Sequence, residues 1–336
     1  MASKRIEWLD LAKALTMFFV IFDHLGLRDG AVSDWVWLFH LPAFFLLSGV
    51  FYHQPQTFWG GVRKDAMRLL LPVLIWWAIA MLTWQPFFML HFHRDTFWSY
   101  YTQAITDFFS GYHMSFGWFM IALFLMKVEM FWLKKLNVWL AATIALVAMP
   151  LGAWALKTWT GELLPFYLTN SLAAFPFFYV GYLLSGKIKE WPWSGWISWG
   201  MAIGCFMVTF ALVPYVGHVS LNAVEYGHGI GWLYLSGLIG SLMILAFCHG
   251  LRNVSKCHVI NVFGGGTVVL LLLQPPFLYL FKIGYKTLFH VQVRGAYFDT
   301  LSAVIAALLI LLMMYPVIVW INKHAPILNG LTRKTK

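Results

Sequence analysis

Ten apolar stretches follow one another along the 336-residue chain and limit what it can fold into. Most are close to the roughly 20 residues that an α-helix needs to cross the hydrocarbon core of a bilayer, and several are short or broken by Gly and Pro. Charged residues make up 11% of the chain, whereas soluble domains are about 25% charged. The sequence therefore predicts an all-α integral membrane protein, a bundle of about ten transmembrane helices. The predicted spans are Leu9–Leu27, Trp35–Tyr52, Leu69–Met89, Trp118–Leu133, Val138–Leu156, Ser171–Leu184, Trp196–Val213, Ile230–His249, Val262–Phe281 and Leu301–Ile321.

The lysines and arginines are unevenly divided between the two sides of this bundle. If the N-terminus and every second loop are cytoplasmic, that side holds 15 of the 23 Lys and Arg residues, and the other side holds six. Cytoplasmic loops carry such an excess, so both termini are predicted to be cytoplasmic and the number of spans to be even. The same loops explain the net charge of +10, and no nucleic-acid partner is expected. The predicted location is the plasma membrane, which in a bacterium is the inner membrane.

The first span carries four ionisable side chains: Asp10, Lys13, Asp23 and His24. Such groups are costly at membrane depth unless they pair or line a wet cavity, so they indicate function. Lys13 and His24 are eleven residues apart. On an α-helix this spacing puts them about 20° apart around the axis and about 16.5 Å apart along it. Asp10 is one turn before Lys13 and is expected to pair with it.

Two further patterns predict contacts between helices. Ser48-Gly49, in the second span, is expected to permit close helix packing rather than to supply a nucleophile. Lys127 and Glu129, in the fourth span, are two residues apart and cannot share a helix face. They are therefore expected to bond to different helices or to extend towards the membrane surface.

The segments on the side opposite the termini are rich in aromatic residues. Residues 90–116 mix these rings with His, Asp, Gln and Ser, and residues 214–229 and 282–300 are similar. Rings stack on the C–H faces of sugars, while amide and carboxylate groups bind hydroxyls. The segments indicate either a carbohydrate-binding surface or ordinary interfacial Trp and Tyr anchors.

Several motifs in combination resemble the membrane acyltransferase 3 family. They are Lys13-x10-His24, F-H-L-P-A-F-F-L-L-S-G at 39–49, the basic stretch ending R-L-L-L-P at 68–72, Trp118-Phe119, A-F-P-F-F-Y-V-G-Y-L-L at 174–184 and G-G-G-T-V-V-L-L-L-L-Q-P-P at 264–276. The resemblance covers nearly the whole chain and looks closest to stand-alone sugar O-acetylases of the fucose 4-O-acetylase type. It implies transfer of an acyl group, usually acetyl from cytoplasmic acetyl-CoA, to a hydroxyl of an envelope sugar.

The resemblance also implies roles for individual residues. Lys13 matches the basic partner, and His24 the catalytic histidine, of the family's Arg/Lys-x10-His motif. Arg68 matches the second arginine of an Arg-x-x-Arg motif thought to meet CoA, but Asp65 stands at its first position. Gln274 stands where the family commonly has a histidine, so a mechanism that needs two histidines is not expected here.

The chemistry of acyl transfer agrees with a base at His24. Transfer to an alcohol needs a group that takes the hydroxyl proton, and neutral imidazole does so near neutral pH. Asp23 could orient or polarise the ring, although it points about 100° away on the helix. A packed histidine is the alternative for His24. His40 either binds acceptor or water, or is a hydrogen-bonded histidine at a helix end.

The basic residues Arg63, Lys64 and Arg68 are predicted, with Lys13, to bind the phosphates of CoA at the cytoplasmic face. Cations make charge-assisted hydrogen bonds to phosphate, and arginine can do so through two nitrogens. The excess of cytoplasmic charge explains Arg63 and Lys64 equally well, but it does not require a cation inside a span, as at Lys13.

The sequence thus predicts a single transmembrane acyltransferase domain over residues 1–322, followed by a short basic cytoplasmic tail at 323–336. The acceptor would be a lipid-linked oligosaccharide, capsule or secreted glycan, contacted by His40 and Trp118, and no metal site is expected. The distance from Lys13 to His24 is comparable to an extended pantetheine arm, so the thioester is expected to pass through the bundle to His24.

Two alternatives remain open at this point. One is transfer of another acyl group, such as succinyl. The other is a proton-coupled transporter that uses the ionisable residues of the first span as a relay. A transporter would be expected to show inverted repeats, and the sequence has no recognisable repeat.

Overall fold

The computed structural model of the chain describes residues 5–27, 30–92, 94–111, 117–289 and 298–331. Apart from turns and loops, this part of the chain is helical, with one short antiparallel hairpin, β1 (Val219–Ser220) and β2 (Glu225–Tyr226), and one isolated bridge between Leu27 and Phe298. The helices, numbered in chain order, are α1 (Glu7–His24), α2 (Gly30–Trp37), α3 (His40–Val50), α4 (Phe58–Asp65), α5 (Leu71–Leu82), α6 (Trp84–Phe92), α7 (Phe97–Ser110), α8 (Trp118–Leu133), α9 (Val138–Thr143), α10 (Met149–Thr160), α11 (Leu168–Leu183), α12 (Ser185–Lys189), α13 (Gly195–Val216), α14 (Ile230–Gly250), α15 (His258–Gly265), α16 (Thr267–Phe289) and α17 (Thr300–His324).

Seven helical segments in the described residues are long and apolar enough to cross a membrane. They are Gly30–Val50, Phe58–Leu82, Val138–Thr160, Gly195–Val216, Ile230–Gly250, Thr267–Phe289 and Thr300–His324. These segments support the prediction of an all-α integral membrane protein. The remaining predicted spans correspond to α1, which carries four charged residues, and to α8 and α11, which have 16 residues each. The count of ten spans stays a prediction.

Two of the seven segments contain a π-helical stretch where one helix passes into the next. The stretch Ala66–Leu70 joins α4 to α5, and Ile144–Ala148 joins α9 to α10. In each case a proline, Pro72 or Pro150, lies just beyond the stretch. Proline has no backbone N–H and its ring crowds the preceding turn, so the chain widens there instead of ending the helix.

The first helix, α1, lies inside the bundle, packed against α3, α14, α15, α16 and α17. Leu9, Ala12, Met17 and Ile21 have no exposed surface. Because α1 is enclosed by other helices, its ionisable residues face protein and internal space rather than lipid.

Both described ends of the chain lie at one end of the bundle. Arg5 donates to the carbonyl oxygen of Asn261 at 2.6 Å, and Asn329 donates to that of Gly265 at 2.8 Å. Residues 261 and 265 belong to the same helix, α15. We call this end, which also holds Lys13, the Lys13 end, and the opposite one the His24 end. Which end faces the cytoplasm stays a prediction.

Close contact between α3 and α11 confirms the prediction for Ser48-Gly49. Gly49 lies against the backbone of Phe178, and Gly181 lies against the backbone of Leu46, with no room for a Cβ atom at either glycine. The Ser48 hydroxyl donates to the carbonyl oxygen of Phe44, one turn earlier in its own helix, at 2.8 Å. The pair therefore serves packing.

The charged residues of α8 bond to two different helices, as predicted. Lys127 forms an ion pair of 2.8 Å with Asp65 of α4. Glu129 accepts a hydrogen bond of 2.9 Å from Ser171 of α11. These two bonds fasten α8 to helices on either side.

The predicted span Val262–Phe281 is divided differently in the structure. The helix breaks at Gly266, between α15 and α16, and a Cβ atom at this position would collide with Ile318 of α17. Helix α16 then continues through Pro275-Pro276 to Phe289. Lys282, which the predicted boundary placed in a loop, therefore lies on a helix.

Candidate active site

The ring of His24 is oriented by the backbone of its own helix. Its Nδ1 lies 2.6 Å from the carbonyl oxygen of Val20, one turn earlier. A carbonyl oxygen only accepts, so Nδ1 carries the proton and donates it in this bond. The neutral ring then has its lone pair on Nε2, and this atom is the one that can take a proton.

His24 is only partly buried. The residue keeps part of its surface accessible, so a small molecule can reach it.

Asp23, next to His24 in the chain, is buried. Its carboxylate accepts a hydrogen bond of 2.8 Å from Ser33 and another from the indole of Trp37. Lys282 lies close enough for its charge to act on both Asp23 and His24. The described hydrogen bonds of Asp23 tie α1 to α2, and a role in orienting His24 stays a prediction.

Lys13 pairs with Asp10, as the spacing predicted. The ammonium lies 3.1 Å from one carboxylate oxygen, and Arg5 lies 2.5 Å from the other. One carboxylate thus faces two cations, which leaves a net positive charge. The Lys13 side chain is 23% exposed, so this charge remains accessible at the Lys13 end.

Two further lysines join Lys13 around neighbouring aromatic rings. The ammonium groups of Lys13 and Lys189 lie 4.0 Å and 5.8 Å from the centre of the Phe51 ring. Lys134 lies 5.2 Å from the centre of the Tyr182 ring. No ion pair to a carboxylate is present for Lys134 or Lys189 among the described residues. We call Lys13, Lys134, Lys189, Phe51 and Tyr182 the lysine–aromatic cluster.

The predicted phosphate-binding residues Arg63, Lys64 and Arg68 are exposed on α4 and the π-helical stretch after it. Their side chains form no hydrogen bond or ion pair with the described residues. Asp65, which stands where the family motif has its first arginine, pairs with Lys127. The sequence pattern did not reveal Lys134 and Lys189, because their approach to the Tyr182 and Phe51 rings depends on how α8 and α12 pack.

His40 and Trp118 lie in different surroundings. Nδ1 of His40 donates to the carbonyl oxygen of Val36 at 2.8 Å, as in His24. Its Nε2 is buried and has no hydrogen-bond partner among the described residues, and the ring is close enough to His24 for their charges to interact. Trp118 packs its ring against Phe45 at a centroid distance of 6.4 Å. His40 is therefore placed beside His24, and Trp118 is part of the packed core.

A cavity of about 260 Å³ lies between α5, α6, α7 and α16. Its walls combine aromatic rings with an amide and a carboxylate, contributed by Trp76, Trp77, Trp84, Tyr279, Gln85 and Asp107. Asp107 and Gln85 can bind hydroxyl groups, and the rings offer flat apolar faces. This combination suits a polar ring compound such as a sugar.

The helix α16 connects this cavity to the neighbourhood of His24. Tyr279 lines the cavity, and Lys282 follows it by three residues on the same helix face. Sequence reasoning ended the span at Phe281 and so missed the place of Lys282 on α16, where its charge acts on Asp23 and His24.

These features define the class of protein. A titratable histidine with a fixed tautomer lies inside a membrane bundle, a cationic group lies three turns away on the same helix, and an aromatic cavity lies nearby. The model of a family described as an acyltransferase domain matches residues 6–323. The chain belongs to this membrane acyltransferase 3 family and is a membrane acyltransferase. No curated protein and no solved structure matches it.

Proposed function

We propose that this protein transfers an acetyl group from cytoplasmic acetyl-CoA to a hydroxyl of an envelope or capsular sugar on the outer side of the plasma membrane. The observation that carries the proposal is the tautomer of His24, whose Nδ1–H is held by Val20 so that Nε2 is the basic atom. An acyltransfer reaction to an alcohol needs such a base.

The proposed reaction uses His24 first as a base and then as an acid. Nε2 takes the proton of the sugar hydroxyl while the hydroxyl oxygen attacks the carbonyl carbon of the thioester. The C–S bond then breaks, the acetyl ester is formed, and the CoA thiolate takes the proton from the imidazolium. Lys282 lies close enough to His24 for its charge to act on the ring, and this charge would favour the developing oxyanion.

The donor is proposed to enter at the Lys13 end. Its phosphates would bind to the lysine–aromatic cluster, where three ammonium groups lie beside aromatic rings. Lys13 and His24 are eleven residues apart on α1, about 16.5 Å along the axis. A pantetheine arm of comparable length would then carry the thioester to His24 while the nucleotide stays outside the bundle.

The acceptor sugar is proposed to bind in the aromatic cavity between α5, α6, α7 and α16. Its volume of about 260 Å³ is near the lower limit of about 300 Å³ for small-molecule sites, which suits one monosaccharide unit. His40, beside His24, would accept a hydrogen bond from the acceptor through Nε2. A lipid-linked oligosaccharide fits this arrangement because its carrier can remain in the bilayer.

The proposal is tested with the purified protein in lipid nanodiscs, radiolabelled acetyl-CoA and a glycolipid extract from the host membrane. We expect labelled acetate in the glycan fraction, released by mild base as an O-acetyl ester should be. Transfer by His24→Ala at the wild-type rate would refute the role of His24. If succinyl-CoA proves a better donor than acetyl-CoA, the transferred group is succinyl rather than acetyl.

A further inference from the structure

Gln274 is a buried side chain that the packing of the bundle does not explain. It has no exposed surface, and neither polar atom of its amide has a hydrogen-bond partner among the described residues. Buried polar groups are nearly always paired, because an unpaired one is costly in apolar surroundings. The amide of Gln274 therefore indicates a polar partner that does not belong to the chain.

Contacts on either side of Gln274 fix its depth in the bundle. Gly264 of α15 packs against Asp10 of α1. Farther along the chain, Lys282 of α16 lies close enough to Asp23 of α1 for their charges to interact. Helices α15 and α16 therefore run beside α1 in the same direction, and Gln274 lies between these two contacts.

This depth corresponds to the stretch of α1 between its two functional residues. Gln274 precedes Lys282 by eight residues, about 12 Å along a helix, so it lies on the Lys13 side of His24. Along this stretch the face of α1 that joins Lys13 to His24 carries Met17 and Val20, which are apolar and buried. A polar segment that passed here would find few partners on α1 itself.

The aromatic cavity does not supply the missing partner. The stripe of α16 that contains Leu272 and Pro275 lines that cavity. Gln274 shares a different stripe with Leu270 and Leu278, four residues before and after it, and both of these are buried. The amide thus faces the packed interior of the bundle rather than the proposed sugar site.

We propose that Gln274 binds an amide of the pantetheine arm of the acyl donor as the arm passes along α1. The pantetheine arm contains two amide groups separated by methylene groups. A carboxamide side chain both donates and accepts, so it complements a secondary amide and satisfies its own two polar atoms. Gln274 is a positioning residue here, and the inference rests on the proposed function because it needs CoA as the donor.

The test compares Gln274→Met with the wild-type protein in nanodiscs. Methionine has nearly the length of glutamine but no polar amide, so the thermal stability should be unchanged or higher. The Kd for CoA should rise about tenfold, as expected for loss of one well-placed hydrogen bond. The Kd for 3′,5′-ADP, which has the adenosine and two of the three phosphates of CoA but no arm, should be unchanged.

A buried amide whose nitrogen has two partners, although its Oδ1 has none among the described residues, provides the control. Asn170 donates to the carbonyl oxygens of Leu221 and Asn222, at 2.9 and 2.6 Å. Asn170→Leu should lower the melting temperature, because it leaves both carbonyls unpaired, and should leave the Kd for CoA unchanged. Gln274→Met should thus weaken CoA binding without a loss of stability, whereas Asn170→Leu should lower stability without weakening CoA binding.

The outcomes separate this inference from the proposed function. A Kd for CoA within twofold of the wild-type value in Gln274→Met would overturn the inference, and would indicate that Gln274 binds water only. Equal weakening of CoA and 3′,5′-ADP would overturn it as well, because the arm would not be the group recognised. Failure of the wild-type protein to bind CoA would overturn both proposals. Binding of CoA without acetylation of any sugar would leave the inference intact and refute the acceptor.

Discussion

The imidazole of His24 donates through Nδ1 to the carbonyl oxygen of Val20, 2.6 Å away and one turn earlier in the same helix. No second side chain is needed to select the tautomer, because the helix supplies the acceptor itself. The arrangement requires that Val20 be in a regular helical turn, which the burial of α1 among its neighbours maintains.

His24→Asn should separate the orientation of the ring from its basicity. The amide nitrogen of asparagine occupies about the position of Nδ1 and can keep the bond to Val20, but asparagine has no atom that takes a proton. Acetyl transfer should fall by about 10²- to 10⁴-fold, as for loss of a general base. Steady-state transfer rates measure this, with CoA affinity and melting temperature unchanged as controls. Activity above a tenth of the wild-type rate would contradict the role of Nε2.

Lys189→Gln and Lys134→Gln should weaken binding of 3′,5′-ADP. Each removes a cation of the lysine–aromatic cluster that would bind phosphate, so the Kd should rise about fivefold to tenfold and the effect should shrink at high salt. Lys135→Gln is the matched control, because Lys135 lies 4.1 Å from the Trp132 ring, away from the cluster. Titration calorimetry at two salt concentrations provides the measurement. Equal effects of all three substitutions would mean that only the general surface charge matters.

The ion pair between Asp65 and Lys127 should stabilise the contact between α4 and α8. The pair is partly buried, so Lys127→Met should cost about 2 kcal/mol, between the values typical of exposed and of buried pairs. The double variant Asp65→Lys with Lys127→Asp should recover part of this loss. Thermal unfolding in nanodiscs checks both expectations. If the charge-reversed variant is no more stable than Lys127→Met, the pair contributes little to folding.

Gly49→Ala should destabilise the contact between α3 and α11. A Cβ atom would collide with the backbone of Phe178, and overpacking of this kind costs about 1–3 kcal/mol. Gly204→Ala, in α13, is the matched control because nothing lies within 4 Å of the position its Cβ would take. This control should be neutral or stabilising by up to about 1 kcal/mol. Gly49→Ala should therefore lower the melting temperature, whereas Gly204→Ala should leave it unchanged or raise it.

Asp299 should make stability depend on pH in the acidic range. It caps α17, accepting from the backbone N–H of Ser302 at 3.0 Å and from the hydroxyl of Tyr285 at 2.7 Å. Hydrogen bonds from the side chain and the backbone of Ser302 and from Tyr285 favour the charged form and lower the pKa of Asp299 below its usual value. The stabilisation is therefore present above the unfolded-state pKa of about 3.9 and is lost as the pH falls through the folded-state value.

The Asp299 effect is checked by thermal unfolding between pH 7 and pH 3. Asp299→Ala should cost about 1 kcal/mol at pH 7 and should remove the acid dependence that this residue contributes. Asp299→Asn should retain most of the stability at pH 7, because asparagine is also a good N-cap. An unchanged acid dependence in Asp299→Ala would assign that dependence to other groups.

Local sequence predicted those features of the site that lie on one helix. The spacing of Lys13, Asp10 and His24 is set by the helical repeat, so the pairing of Lys13 with Asp10 followed from it. The opposite directions of Lys127 and Glu129 followed for the same reason. Such relations depend only on the fixed geometry of an α-helix.

Features that join separate helices could not be read from the sequence. The approach of Lys134 and Lys189 to the ring system around Phe51 and Tyr182 depends on the packing of α8, α11 and α12. The position of Lys282 was missed for a related reason, because its approach to Asp23 depends on how α16 packs against α1.

The sequence by itself determined that the chain is a helical membrane protein, and that its first helix carries a lysine and a histidine on one face. Hydrophobicity and helical periodicity are local properties, so the order of residues specifies them directly. Only the tertiary structure decided which groups surround that face, because close helix contacts such as Gly49 with Phe178 fix how the helices meet. The burial of Gln274 without a partner and the aromatic cavity beside α16 are consequences of that packing.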